Sequence, residues 1–298
     1  MSNENLQNDV VKFECEAMAS VFEFYINHED HQYAKSAAYE ASRTLAALEN
    51  DLSRYVENSD ISQINNLSAG QKVVVSLHTF ECLKVSRKIY ELSDGYFDIS
   101  VDKDLKPIRK DCSHDCLFDK LILNEDDFTV EVLSDNVAID LGGIGKGYAV
   151  EVMAGQLREW DIENFLIHGG YSSVTAFGKV DELRGWPVRI TDIAGSVNAY
   201  YAYLDGFSLS SSGLRKGGHI INPFTSMPLE GKRAVWVCSY DAVVADALST
   251  AFMIMPNEDV KRICNSEDDI MVILCDKDKN QTLIYGDWSK VGLRNSES

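Results

Sequence analysis

Asp140-Leu141-Gly142-Gly143-Ile144-Gly145-Lys146-Gly147-Tyr148-Ala149 carries the chain from an apolar segment through four glycines into a helical pattern. Val137-Ala138-Ile139 ahead of it reads as a buried strand. Val150, Met153, Ala154, Leu157 and Trp160 behind it recur at helical spacing. Glycines at a strand-to-helix junction let main-chain N–H groups approach an anion, and a helix N-terminus adds partial positive charge. Taken alone, the stretch is either a phosphate-binding turn or a tight turn with a surface lysine. Two common phosphate loops do not fit it. A Walker A loop needs Ser or Thr after its lysine, where Gly147 stands, and the dinucleotide fingerprint needs G-x-G-x-x-G.

Two further segments carry chemistry. Asp241 to Met255 reads as an apolar helix following a strand from Ala234 to Ser239. Asp246 and Thr250 lie four apart, so their oxygens share one helical face and suit a hard cation. The alternative is an aspartate interacting with the helix dipole and a threonine bonded back to a carbonyl. Ser210-Ser211-Ser212-Gly213 precedes His219-Ile220-Ile221-Asn222-Pro223, where His219 is either structural or a general base.

In this order the pieces resemble the FAD:protein FMN transferases, the ApbE flavin transferase family, from about Ala17 to about Met255. Leu48 to Tyr55 and Ser59 to Asn65 look like the family's early helix and following loop. Gly95 to Val101 is similar to its G-x-F-D-x-[ST]-V block. Asp140 to Ala149 matches D-L-G-G-I-A-K-G-Y-A with Gly145 for alanine. His168-Gly169-Gly170, His219 to Pro223 and Asp246 to Thr250 resemble its G-G turn, H-I-I-D-P and D-A-L-[AS]-T blocks. The resemblance implies an α+β flavin-transferase fold, with mixed or antiparallel sheets, packed helices and a cleft between two sub-lobes. It also implies a Mg²⁺-dependent reaction. FAD, as substrate, is split at its pyrophosphate, AMP leaves, and FMN joins a threonine of a partner flavoprotein.

On this resemblance Asp246 and Thr250 would hold the metal with backbone carbonyls from Gly145 and Ser249. Lys146 and the surrounding amides would meet the phosphates, and His219 would be the base for the acceptor hydroxyl. Tyr55 would stack on a ring of FAD. Met18, Gly143, Gly145, Ser211 and Gly213 complete the expected FAD-binding set. Several positions depart from the pattern. M-G-T reads Met18-Ala19-Ser20, Asn222 replaces an aspartate, Tyr171 replaces an asparagine, and the segments 102–120 and 214–218 are short. These departures keep two alternatives open: a metal-dependent FAD pyrophosphatase with water as nucleophile, and a non-catalytic flavin-binding protein.

Composition bounds the rest. Twenty-eight basic against 47 acidic residues give a net charge of −19, which argues against nucleic acid and anionic membrane surfaces as partners. A polyanionic substrate then needs local cations. No apolar run reaches the length of a membrane span, and the polar start has no signal-peptide pattern or lipobox, so a cytoplasmic location is expected. Of seven cysteines, Cys112, His114 and Cys116 cluster as a metal or disulfide candidate or as a polar loop. The expected organisation is a polar segment 1–14, one transferase-like domain 15–290, and a polar tail 291–298. Helices are expected over 29–55 and from Ser76 to Gly95, and strands near 128–133, 136–141 and 164–168. A meander from Val174 to Leu209 follows, and a closing hairpin, 270–275 with 282–285.

Overall fold

Strands buried on both faces read as unbroken apolar runs, and this chain has several: Phe165-Leu166-Ile167, Val235-Trp236-Val237-Cys238 and Met271-Val272-Ile273-Leu274. A computed structural model places these runs in the middle of one antiparallel sheet. It describes residues 10–100, 117–191, 199–213, 220–225, 227–230, 233–276 and 281–295.

The chain opens with the hairpin β1 (Val10–Ala17) and β2 (Ser20–Asn27), then helices α1 (His31–Leu52) and α2 (Asp60–Asn65). Strand β3 (Lys72–Val74), helix α3 (Leu77–Leu92), and strands β4 (Leu121–Asn124) and β5 (Thr129–Val132) follow. Helix α4 (Gly145–Glu159) leads to β6 (Phe165–Gly169), β7 (Ser173–Phe177), β8 (Trp186–Ile190), β9 (Tyr200–Leu204) and β10 (Phe207–Gly213). Then come β11 (Arg233–Ser239), α5 (Ala242–Ile254), α6 (Asn257–Ser266), the hairpin β12 (Met271–Asp276) and β13 (Gln281–Tyr285), and β14 (Arg294–Asn295). Among the described residues the main sheet has the order β1-β2-β6-β7-β10-β11-β12-β13, every neighbour antiparallel. A small sheet, β14-β9-β8, and another, β3-β5-β4, complete an α+β fold.

Alternation along each strand sorts the core into two. Phe165, Ile167, Val235, Val237, Val272 and Leu274 meet α1, α4 and α5 on one face, in the larger apolar cluster. Leu166, Cys238, Met271 and Ile273 face the other way, onto Trp186, Ile190, Ala202 and Leu204 of the small sheet. Beyond that cover the pattern turns half-polar. Phe22, Phe24 and Ile26 of β2 stay in the larger cluster, while Glu23 takes an ion pair with Lys12 at 2.7 Å.

Most expected elements are present, with three differences. The first helix is shorter, because Asp30 caps its start through the amides of Gln32 and Tyr33 and Ser53 turns extended at its end. The meander divides: β7 and β10 lie in the main sheet, and β8 and β9 leave it to form the small one. Tyr201 and Tyr203 on the outer side of β9 hid its period of two. Residues 136–141 form an isolated bridge, Ser100 to Ile139, rather than a strand. Asn65 is the reason. Its side-chain oxygen accepts the Ile139 N–H at 2.7 Å and its amide donates to the Ile139 carbonyl at 3.0 Å, replacing a neighbouring strand.

Helices α4 and α5 are also joined end to flank. The Glu151 carboxylate accepts the Ala242 N–H at 3.0 Å, one residue past the Asp241 cap. Burial holds the Glu151 carboxyl above the ordinary glutamate range, and nearby Asp241 adds to the rise, against the Ala242 N–H and Arg158. The folded chain therefore holds this proton more tightly than the unfolded chain does. Stability from this group falls as pH rises from the ordinary glutamate value through the raised one. Glu151→Gln keeps an acceptor and removes the charge. Its urea midpoint is expected to match wild type near about pH 4 and to exceed it near about pH 8. A variant weaker near about pH 8 alone would show that the charge itself anchors α5.

Candidate active site

A cavity of about 900 Å³ opens where β10 ends and β11 begins. That is the size range of small-molecule sites. Its walls come from the α4 entrance (Gly143, Lys146), the α5 flank (Asp246, Thr250), the β10 end (Ser211, Ser212, Gly213) and the β1–β2 turn (Ala19, Ser20).

The expected phosphate loop behaves differently from its sequence reading. Gly142 N–H goes to Asp140 Oδ1 at 2.8 Å, Ile144 and Gly145 N–H both return to the Leu141 carbonyl, and Gly147 N–H goes to Asp246 Oδ2 at 2.8 Å. The loop thus uses most of its amides on the protein and presents the Lys146 side chain as its cation. Gly147 is required for another reason. A Cβ there would overlap the Ala242 carbonyl oxygen and lie 2.5 Å from Asp246 Cβ. Only glycine lets α4 approach α5 closely enough for the 147–246 hydrogen bond.

Asp246 is buried, and burial raises its carboxyl above the ordinary aspartate range. The Lys146 charge, the Gly147 N–H and the Ser173 hydroxyl, at 3.2 Å from Oδ1, oppose that rise. Two neutral donors do not balance a buried carboxylate, so a cation at its remaining lone pairs is the chemistry the set invites. Thr250 Oγ1 lies 3.5 Å from where a Gly143 Cβ would stand, so the hydroxyl closes directly on the loop backbone. An oxygen-only donor set of carboxylate, hydroxyl and main-chain carbonyl fits a magnesium-like ion.

The structure gathers Lys146, Asp246, Thr250, Gly143, Ser211 and Gly213 on one cavity wall. Other expected residues lie elsewhere. Gly145 and Ser249 are not on the wall; Ser249 is wholly buried, with its hydroxyl bonded to the Asp246 carbonyl and to Ser212 at 2.8 Å. Tyr55 is 80% exposed and off the wall, with the Arg54 guanidinium 5.4 Å from its ring. Arg54 instead pairs with Asp140, a wall residue, at 3.4 Å. Met18 stands behind the wall, and its neighbours Ala19 and Ser20 line it. His219, Cys112, His114 and Cys116 lie outside the described residues. Asn222 uses its side-chain oxygen to accept the Phe224 and Thr225 amides, a turn-forming role that an aspartate would fill equally.

Two hairpin turns make the rim. Met18 (φ 51°) and Ala19 (φ 53°) form the two-residue β1–β2 turn, a conformation that favours Asn and Gly. Gly170 (φ 59°) sits so near that a Cβ would be 2.5 Å from Ser20 Oγ, and the Lys146 chain crosses the same point at 3.5 Å. Tyr171, also at positive φ, is three-quarters exposed beside them.

The ApbE family model matches residues 18–274. The chain belongs to the ApbE family. An FAD:protein FMN transferase of Vibrio cholerae serotype O1 is 22% identical over 260 residues, 78% of each chain. One of Chlamydia muridarum is 26% identical over 220 residues, 65% of this chain and 67% of that one. The solved flavin transferase ApbE from Vibrio cholerae superimposes with a TM-score of 0.81 at 20% identity, covering 95% of this chain and 99% of that one. The apo form of Pseudomonas stutzeri flavinyl transferase ApbE gives 0.78 at 21%, covering 94% and 95%. These structural matches carry the ApbE fold onto this chain.

Sequence reading missed Arg189, Thr191 and Trp236, which also line the cavity of this ApbE-family member. Their signal was faint: Arg189 precedes the buried Ile190 on β8 and projects from its other face, and Thr191 follows the strand end. Gly147→Ala is expected to cost about 2–3 kcal/mol in urea unfolding through overpacking, and to weaken divalent-metal binding measured by calorimetry. Unchanged stability would show that α4 and α5 can separate without harm.

Proposed function

We propose that this ApbE-family chain transfers FMN from FAD to a threonine hydroxyl of a partner flavoprotein, with Mg²⁺ bound and AMP released. The observation that carries the reading is a buried, under-compensated Asp246 placed with Thr250, Gly143 and Lys146 on one wall of a cavity. The names of its relatives in Vibrio cholerae and Chlamydia muridarum point the same way.

Asp246 and Thr250 would hold the metal together with main-chain carbonyls of Gly145 and Ser249, and Gly143, packed against Thr250, lies beside them. A bound magnesium ion would neutralise phosphate charge during pyrophosphate cleavage. Lys146 supplies a second positive charge from the same loop, beside Asp246 and in a strongly acidic chain. The Gly147 N–H and the Ser173 hydroxyl hold the Asp246 carboxylate at its two oxygens, so its direction does not depend on the ligand. The acceptor hydroxyl oxygen attacks the FMN phosphorus, the bridging P–O bond breaks, and AMP leaves with its electron pair. His219 is the proposed acceptor of the hydroxyl proton. A cytoplasmic site of action is part of this reading. Among the described residues no helix is long and apolar enough to cross a membrane.

Purified protein given FAD, Mg²⁺ and a threonine-bearing acceptor domain is expected to release AMP and to add an FMN-sized mass to the acceptor. Asp246→Ala should lower turnover by at least about 1,000-fold. His219→Ala should slow transfer by about 100-fold or more while FAD binding holds. AMP and free FMN formed without acceptor would make water the nucleophile and the protein a pyrophosphatase. FAD that binds and stays whole would remove the enzymatic reading.

A further inference from the structure

The turn between β6 and β7 forms part of the cavity rim, and a half-buried side chain behind it holds its shape. Gly169 pairs with Ser173, and the Ser172 N–H returns to the Gly169 carbonyl at 3.3 Å. The two residues at the tip, Gly170 (φ 59°) and Tyr171 (φ 58°), are both left-handed. Such a pair suits glycine and asparagine and strains a tyrosine. Tyr171 therefore needs outside support. His168, the penultimate residue of β6, gives it: the Tyr171 N–H donates to His168 Nδ1 at 3.1 Å, and the two rings lie 5.1 Å apart.

That bond fixes the state of the imidazole. A main-chain N–H can only donate, so Nδ1 must offer a lone pair, and the ring is neutral with its proton on Nε2. A proton on Nδ1 would set two donors against each other. The surroundings favour the neutral ring. Burial holds His168 below the ordinary histidine range, and Glu23, directly opposite on β2, works against that. Lys12 of β1 keeps Glu23 ionised from 2.7 Å and also pairs with Glu14. On the other side the cross-strand neighbour is the uncharged Val174 of β7.

What the turn holds is on the wall. The Gly170 N–H donates to the Val21 carbonyl at 3.0 Å, and a Cβ at Gly170 would lie 2.5 Å from Ser20 Oγ and 3.5 Å from Lys146 Cδ. Gly170, Tyr171, Ser20, Val21 and Lys146 all line the cavity, and His168 stands behind them. Resting on the reading of this cavity as the FAD site, we infer that neutral His168 is a positioning residue for FAD: by accepting the Tyr171 N–H it keeps the 169–172 turn against Ser20 and Lys146, and its protonation loosens the turn and weakens binding. The sign is fixed by the chemistry. As pH falls through the histidine range the acceptor is lost, and because the folded chain resists this proton, the loss lies below the ordinary histidine value.

FAD titrated with Mg²⁺ by calorimetry into wild type, His168→Asn and His168→Leu, at about pH 8 and about pH 5.5, tests the inference. Asparagine sets an amide oxygen near the place of Nδ1 and does not titrate. Wild type is expected to bind about 3- to 10-fold more weakly at the lower pH, the range for one lost hydrogen bond. His168→Leu should bind at the weakened level at both. His168→Asn should rescue most of the affinity at the higher pH and lose less than wild type at the lower. NMR of nitrogen-labelled histidine in wild type should show His168 as the Nε2–H tautomer at about pH 8, a readout that does not depend on any variant folding. An Nδ1–H tautomer, a leucine variant as tight as wild type at the higher pH, or one pH dependence shared by wild type and His168→Asn would each overturn the inference and leave the transferase reading in place. Wild type that binds FAD at neither pH would remove both.

Discussion

One hydrogen bond sets the geometry on which the site depends: the Gly147 N–H to the Asp246 carboxylate, across the crossing of α4 and α5. It forms because residue 147 has no Cβ and because Asp246 is turned inward, away from water. Close approach of the two helices brings Lys146 beside the carboxylate and leaves Thr250 against Gly143. The same crossing lets Glu151 take the first free amide of α5. The helices are thus locked at two points, and the wall of the cavity is a consequence of that locking.

Charge explains why the wall is built this way. A chain with 19 more acidic than basic residues repels polyanions at long range. Binding one requires cations held where water and salt screen them least. Lys146 and the cation-seeking Asp246 answer that need, and Arg189 adds a further donor to the cavity wall. Surface pairs such as Arg43 with Glu40 or Arg262 with Asp94 are exposed and contribute little to stability.

Sequence patterns gave away the parts of the fold governed by local rules. Double-sided burial made β6, β11 and β12 readable as strands, and the spacing of Asp246 and Thr250 placed two oxygens on one face of α5. Four features were not legible. Asn65 replaces a strand for Ile139 from 74 residues away. Gly147 serves a helix crossing, whereas its neighbours suggested an anion cradle, since glycine looks the same in either role. Tyr55 sits in a block similar to the family's, yet its ring lies over Arg54 and outside the cavity. Arg189 and Trp236 line one cavity only because elements far apart in the chain are brought together, which no single stretch of sequence records.

The 147–246 hydrogen bond joins residues 99 positions apart. Closing so long a loop is entropically costly, and nothing in either segment recovers that cost until the main sheet is assembled between them. The donor set therefore has no counterpart in a partly folded chain, and an ion that binds it favours the fully docked state alone. At a concentration 100 times its dissociation constant such an ion would add about 2.7 kcal/mol to global stability. Divalent metal should then act on this protein as a folding ligand as well as a reactant, closing the two halves of the chain around the place where they will work.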